Sequence, residues 1–499
     1  MSAALALAAA AALAGCGSTT YFDGRKLPPS GLMNRVMIAI QNPSALTKGA
    51  LEIVDAYYDI RAAYNSTSPG VPAFSISGYA GALPTTIQND PEEQFGVIYG
   101  SGDNSFTYIN YQTESSTGSV SGLSGASTSV FSTRDQKFVF AANSNLLTIV
   151  DKSSTGAGTY YLSLPGISHL SVNPGGSAVL AFTNTSGNGQ DNAYYPVKLN
   201  AAQTIAYSAG SSAWPKAAVD CEPQNAPGWC LMQMQSPDNT DSYGLTYGAP
   251  LTFDRPVKAI FSSDGSTAYV LNCGAECGGN ASSVSILPVA PILFTPNQAS
   301  GKLPTTATLA SSTIALSKVS AGASNALLSG TLLYVMGQYP QTIGGQTYFG
   351  GTLTTIDLTT NKMGAVYGIS DGAPGLMTRM IPGDDNTLWI ATQQCSTGVR
   401  AETGLSTGCL DMVTLNPSTG AISSVLVEPY PGGNTGVISA TGIAAVTGLH
   451  KIYAVEGGQV YIYSTTNGTA LDNQYVTVTG TAYDVAYMDA TTDANNTVY

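Results

Sequence analysis

The stretch Phe131 to Asp151, FSTRDQKFVFAANSNLLTIVD, constrains the fold more than any other part of the chain. An apolar pair leads into a polar turn, an alternating strand, a short loop and a second alternating strand. Period-two alternation puts one set of side chains on each face of a sheet and requires neighbours for the backbone. The pattern returns as FSSDGSTAYVLN followed by SSVSIL, Phe261 to Leu287. Units this short cannot cover both of their own faces, so copies must stack on one another.

Equivalent second strands recur at Phe95 to Tyr99, Phe138 to Ala142, Ala178 to Thr183, Ala268 to Asn272, Leu332 to Met336, Leu388 to Thr392 and Ile452 to Val455. Val36 to Asn42 and Ala50 to Ile60 supply a second and a third strand with no first strand before them. Tyr483 to Asp489, with nothing after it to complete a module, supplies the missing one. Turns such as Ser263-Asp264-Gly265 and Asn173-Pro174-Gly175-Gly176 carry the residues that tight turns favour. The prediction is an all-β chain forming a single β-propeller of four-stranded antiparallel blades. Eight modules are counted, with seven as the alternative, and the ring is closed by N- and C-terminal strands so that no sheet edge is left open.

Tyr269-Val270-Leu271-Asn272 followed by Val284-Ser285-Ile286, Tyr334-Val335 followed by Thr355-Ile356-Asp357, and Tyr453-Ala454-Val455 resemble the fingerprint of YVTN-repeat (YncE-like) β-propellers. The resemblance covers most of residues 34–499. Such proteins usually have seven blades.

The first residues, MSAALALAAAAALAGCGSTT, hold an apolar run of signal-peptide length, too short to span a bilayer. Leu13-Ala14-Gly15-Cys16 resembles a bacterial lipobox, which implies cleavage before Cys16 and lipidation of its thiol. Gly17 follows where an Asp would retain a lipoprotein at the inner membrane, so an outer-membrane or cell-surface address is implied. Residues 1–15 are then a signal peptide, 16–33 a tether and 34–499 the propeller, with 201–256 its largest loop insertion. The membrane is reached through the lipid anchor only.

The other six cysteines fall in local couples, Cys221 with Cys230, Cys273 with Cys277 and Cys395 with Cys409. In an exported chain these read as three loop-stapling disulfides. Zinc is the rival, yet only two histidines, His169 and His450, are present. No metal site is expected, and no cofactor. Calcium, which scattered oxygens can bind, is considered at Asp384-Asp385-Asn386, Asp238 to Asp241 and Asn188 to Asn192, but these lack EF-hand spacing and read as turns. A net charge of -13 with 18 Lys plus Arg and no basic run argues against nucleic acid as a partner.

In a four-stranded blade the loop after the second strand and the connection leaving the fourth open on the same side of the ring. Insertions gather there: Asn184 to Asn192, Cys273 to Ser282, Gly337 to Gly350, Gln393 to Thr407 and the Ala201 to Pro256 connection. Ordinary tolerance of inserted loops explains this, and so does a binding face built on a rigid scaffold. Trp214, Trp229, Tyr339 and Tyr348 are the loop aromatics available to such a face, whose partner would be a protein or a glycan of the cell envelope.

Aligning modules on their turns puts His169 and Arg379 at matching first-strand positions, with Ser129, Ala259, Ser324 and Ile443 in the others. That set lacks a carboxylate and makes a poor acid/base pair, so no catalytic residue is assigned and His169 reads first as structural, with His169 and Arg379 kept beside the loop aromatics as candidate binding residues. The expected function is non-enzymatic partner binding. The alternative, a propeller hydrolase or lactonase, needs acids at the channel mouth, for which Glu276, Asp191 and Glu402 are the nearby loop acids.

Overall fold

The structure is a computed structural model. It describes residues 27–491 apart from 62–73, 155, 184–192, 202, 205–217, 223–227, 235–238, 241–245, 248–252, 296–311, 373–378, 397–406 and 428–439. The expected lipidation site Cys16, Trp214, Asp191 and Glu402 therefore lie outside the described residues.

The chain is an eight-bladed β-propeller of four-stranded antiparallel blades. Blade 1 is the composite one: Thr481–Tyr487 is its inner strand, followed outward by Arg35–Gln41, Gly49–Asp55 and Phe74–Ser75. Pairing of Val36 with Tyr487 and of Ala39 with Asp484 joins the two ends of the chain, as the alternation predicts. The inner strands of blades 2 to 8 are Pro84–Asp90, Ser129–Ser132, Ile167–Val172, Pro256–Phe261, Asn325–Ser329, Arg379–Gly383 and Ala440–Val446. Every second strand named from the sequence is the second strand of its blade.

Stacking, rather than any central core, holds the ring. Each blade-to-blade interface among the described residues has its own apolar cluster. Val36, Ile38 and Val54 of blade 1, for example, pack on Tyr453, Val455 and Ile462 of blade 8, and so close the circle. At the junction of blades 1 and 2, Arg35 is 1% exposed. Its guanidinium donates to both Asp489 oxygens, at 3.0 and 2.6 Å, and to Glu114 Oε1 at 3.0 Å. Glu114 also accepts from the backbone and hydroxyl of Ser30. A buried charge stays in place only when paired this fully, so the two ends of the chain are latched to blade 2 as well as to each other.

Two expectations about the insertions are corrected. Gly337 to Gly350 is not a loop. It continues a hairpin of two twelve-residue strands, Leu332–Ile343 and Gln346–Asp357, paired down to Ile343 opposite Gln346. Gly344 and Gly345, both at positive φ, form the two-residue turn that suits this twist. The 201–256 insertion also contains regular structure. Trp229–Gln233 pairs with Ala193–Lys198 as the fourth strand of blade 4, and Ala218–Glu222 adds a fifth. The Cys221–Cys230 disulfide joins these outermost strands and is not a staple on the looped side.

Candidate functional site at the channel mouth

The inner strands touch one another around the ring, so residues at one level of these strands form a circle about the central channel. Most of the inner strands begin with a β-bulge, as at Pro256/Lys258, Ile167/His169, Ala440/Gly442 and Pro84/Thr86. In every blade one inner-strand residue pairs with the same position of the second strand: the residue after the bulge where there is one, and the first paired residue, Ser129, Asn325 or Arg379, where there is none. The circle is therefore Asp484, Thr86, Ser129, His169, Lys258, Asn325, Arg379 and Gly442, in blade order. Because each inner strand starts where its second strand ends, the circle lies toward the looped side.

This corrects the sequence alignment in three blades. Lys258, Asn325 and Gly442 stand where Ala259, Ser324 and Ile443 were expected, and blade 1 adds Asp484. A slip of one residue exchanges the two faces of a strand: Ala259 and Ile443 are in fact buried in the clusters between blades.

Asp484 is fully buried, and its oxygens accept Nη1 and Nη2 of Arg379 at 2.6 and 2.8 Å. Asp484 Oδ2 also accepts the Ile87 N–H at 2.8 Å. Ser129 Oγ plays the same part between blades 3 and 4, accepting the Leu170 N–H at 3.2 Å. Between blades 4 and 5 that task falls to Ser171, whose Oγ accepts the Ala259 N–H at 3.0 Å. His169 is thereby left out of the stitching, and its buried Nε2 has no hydrogen-bond partner among the described residues. The structural role expected for it finds no hydrogen bond there.

Lys258 Nζ donates to Asn325 Oδ1 at 3.0 Å and meets no carboxylate among the described residues. Protein surrounds His169 and Lys258 on every side, yet each keeps part of its surface open. Burial, helped by the Arg379 charge, pushes the Lys258 ammonium down to about 8. Burial, helped by the Lys258 charge, pushes the His169 imidazole down to about 3. At neutral pH the arc therefore holds a charged lysine beside a neutral histidine.

The remaining candidates separate. Trp229 is fully buried, edge-on to Phe138 and tilted against Phe294 with centroids at 5.8 and 5.6 Å. It is core and not a surface aromatic, which removes it from any binding face. Tyr339 and Tyr348 are half-buried on the projecting hairpin, and the pairings of Tyr339 with Gly350 and Gln341 with Tyr348 put both on one face of it. Glu276 is buried and accepts the Gln338 N–H at 2.8 Å, so it is held by the neck of the hairpin. A Cys273–Cys277 disulfide spans the turn that carries it. Cys409 is disulfide-bonded as well, while the Cys395 side chain lies outside the described residues.

Asp384 Oδ2 accepts the Gly448 and His450 N–H groups, and Asp385 Oδ2 accepts the Thr465 and Thr466 hydroxyls. These acids tie blade 7 to blade 8. No cluster of three metal-ligating side chains occurs among the described residues. Asp238 and the Asn188 to Asn192 group lie outside them.

No protein-family model and no curated protein matches the sequence. Solved structures resemble the chain distantly. Citrobacter koseri AztD is 10% identical with a TM-score of 0.45, covering 91% of this chain and 97% of its own. Pseudomonas aeruginosa periplasmic gluconolactonase, PpgL, is 11% identical with a TM-score of 0.40, covering 91% and 98%. Kuenenia stuttgartiensis hydrazine synthase is 14% identical with a TM-score of 0.40, covering 77% and 96%. At this distance none of them bears on what this chain binds or does.

Proposed function

We propose that this chain is an exported, non-enzymatic β-propeller that binds a protein or glycan partner of the cell envelope through its looped face and is anchored by lipid on Cys16. The observation that carries the reading is the hairpin of Leu332–Ile343 and Gln346–Asp357. Its paired strands run on past the blade from that face with Tyr339 and Tyr348 on one side. A ladder-bonded hairpin is already ordered, so it loses little entropy when it captures a partner. Tyrosines add apolar area with a polar tip.

The state of Asp484 favours binding over turnover. It is the one acid of the channel circle, and its oxygens are occupied by Arg379 and the Ile87 N–H. A hydrolase would need a group able to accept or deliver a proton there. The reading is tested by capturing envelope components on the purified chain and on the Y339A/Y348A variant, with lactone and ester hydrolysis assayed alongside. Capture lost in the variant with no turnover supports it. Turnover abolished by D484N would replace it with the hydrolase or lactonase alternative.

A further inference from the structure

We propose that the channel mouth holds the acid group of a small anionic ligand, a carboxylate or a tetrahedral oxyanion, between Lys258 and His169. The proposal rests on reading the looped face as a binding face and names the chemistry recognised at its centre.

Three observations meet at this point. Lys258 brings a positive charge to the circle with no carboxylate beside it among the described residues. The acid available, Asp484, is paired with Arg379 on the far side of Asn325. His169, on the neighbouring blade, has an Nε2 that is closed to solvent and has no hydrogen-bond partner among the described residues, Ser171 having taken over the bond that stitches blades 4 and 5, so the open part of the imidazole lies elsewhere on the ring. Both side chains retain open surface although protein encloses them.

An enclosed, uncompensated ammonium is costly and shifts toward neutrality unless an anion joins it. A neutral imidazole beside it can donate one N–H to an acid oxygen. Charge-assisted bonds of this kind are short and strong where protein limits solvent access. In a chain of net charge -13, the surrounding field offers anions little else, so recognition has to be local. Among the described residues, the charged and titratable groups facing Lys258 are His169 from blade 4 and Arg379 from blade 7. Burial has brought the ammonium to about 8, so a bound anion would hold the proton on and affinity would fall as pH rises past that value.

The test is calorimetric titration of the full chain with sodium sulfate and, separately, sodium acetate at constant ionic strength. Sulfate does not titrate over the range, so its pH dependence reports the protein. Saturable binding at pH 7 that weakens about tenfold or more by pH 9.5 is expected. K258M should lower affinity about tenfold or more, K258R should retain it, and H169A should weaken it by a smaller factor. Preference for sulfate or for acetate then separates a tetrahedral from a planar acid group. Thermal melts of K258M confirm folding. Y339A/Y348A should bind the anion within about twofold of the parent chain, so failure of the hairpin as a partner site would leave this result intact. Absence of saturable binding of either salt, or unchanged affinity in folded K258M, overturns the proposal.

Discussion

Arg379 of blade 7 and Asp484 of blade 1 form a two-pronged ion pair that passes over Gly442 of the blade between them. A Cβ at position 442 would collide with Asp484 Oδ1. The glycine is therefore the condition for a bond between blades that are not neighbours. With the Ile87 N–H also on Asp484, one carboxylate of blade 1 bonds to blade 7 on one side and blade 2 on the other, an arc of four of the eight blades at the mouth.

From this geometry G442A should be destabilised by about 1 to 3 kcal/mol, the usual cost of overpacking an occupied site. D484N, which leaves Arg379 without its charge partner in an enclosed place, should cost about 3 kcal/mol or more. Denaturant midpoints of the two variants check this. Equal midpoints for G442A and the parent chain would mean that the pair does not need the gap.

The latch at Arg35 predicts a larger loss. R35M removes a guanidinium bonded to Asp489 and Glu114 and strands two buried carboxylates, which should cost about 3 to 5 kcal/mol. Because the latch holds the strand that closes the ring, its loss also frees sheet edges. Light scattering during thermal unfolding should begin at lower temperature in R35M than in a surface control such as K137A.

Glu456 gives the pH dependence a definite sign. Burial raises its carboxyl to about 7 from an ordinary 4.5, although the Tyr463 hydroxyl, at 2.8 Å from Oε1, works in the other direction. A folded-state value above the unfolded one means that the folded protein binds more protons between the two. Stability then falls as pH rises from about 4.5 to about 7, by roughly 3 kcal/mol for this group alone. Asp411, pushed up to about 6 by burial, adds a contribution of the same sign. E456Q should flatten the slope measured by denaturation at pH 5 and pH 7.5, and should be the more stable form at the higher pH.

Trp229 and the hairpin tyrosines should divide stability from binding. W229A opens a cavity between blades 3 and 4 and should cost about 3 to 5 kcal/mol while leaving partner capture per folded molecule unchanged. Y339A/Y348A should do the opposite, shifting the midpoint by less than about 1 kcal/mol. Denaturation and capture on both variants give the comparison.

Strand alternation made the blades legible because it reports burial directly, and the orphaned Val36 to Asn42 and Tyr483 to Asp489 segments announced the closure that Ala39 and Asp484 complete. The site was less legible for a physical reason. Turn residues such as Asp264 and Gly265 mark where a hairpin bends, but they do not say which residue opposes which, and a bulge adds one residue without changing composition. Lys258 was thus hidden one place before the Ala259 that the turns suggested. Asp484 lay in a strand whose turn belongs to the other end of the chain. Trp229 was misjudged because a fourth strand inside a long connection has no repeat signal to distinguish it from a loop. The hairpin beyond Gly337 was missed because Gly, Gln and Thr serve a solvated ladder as well as they serve a loop.

The most direct measurement is site-specific photocrosslinking in the intact envelope, with the crosslinking residue placed at position 348 on the hairpin or at position 58 on the opposite side of the ring, where Tyr58 is exposed. Partner binding through the hairpin should give a discrete adduct from position 348 that position 58 does not give and that Y339A suppresses. Matching adducts from both positions, or a position-348 adduct indifferent to Y339A, would contradict it.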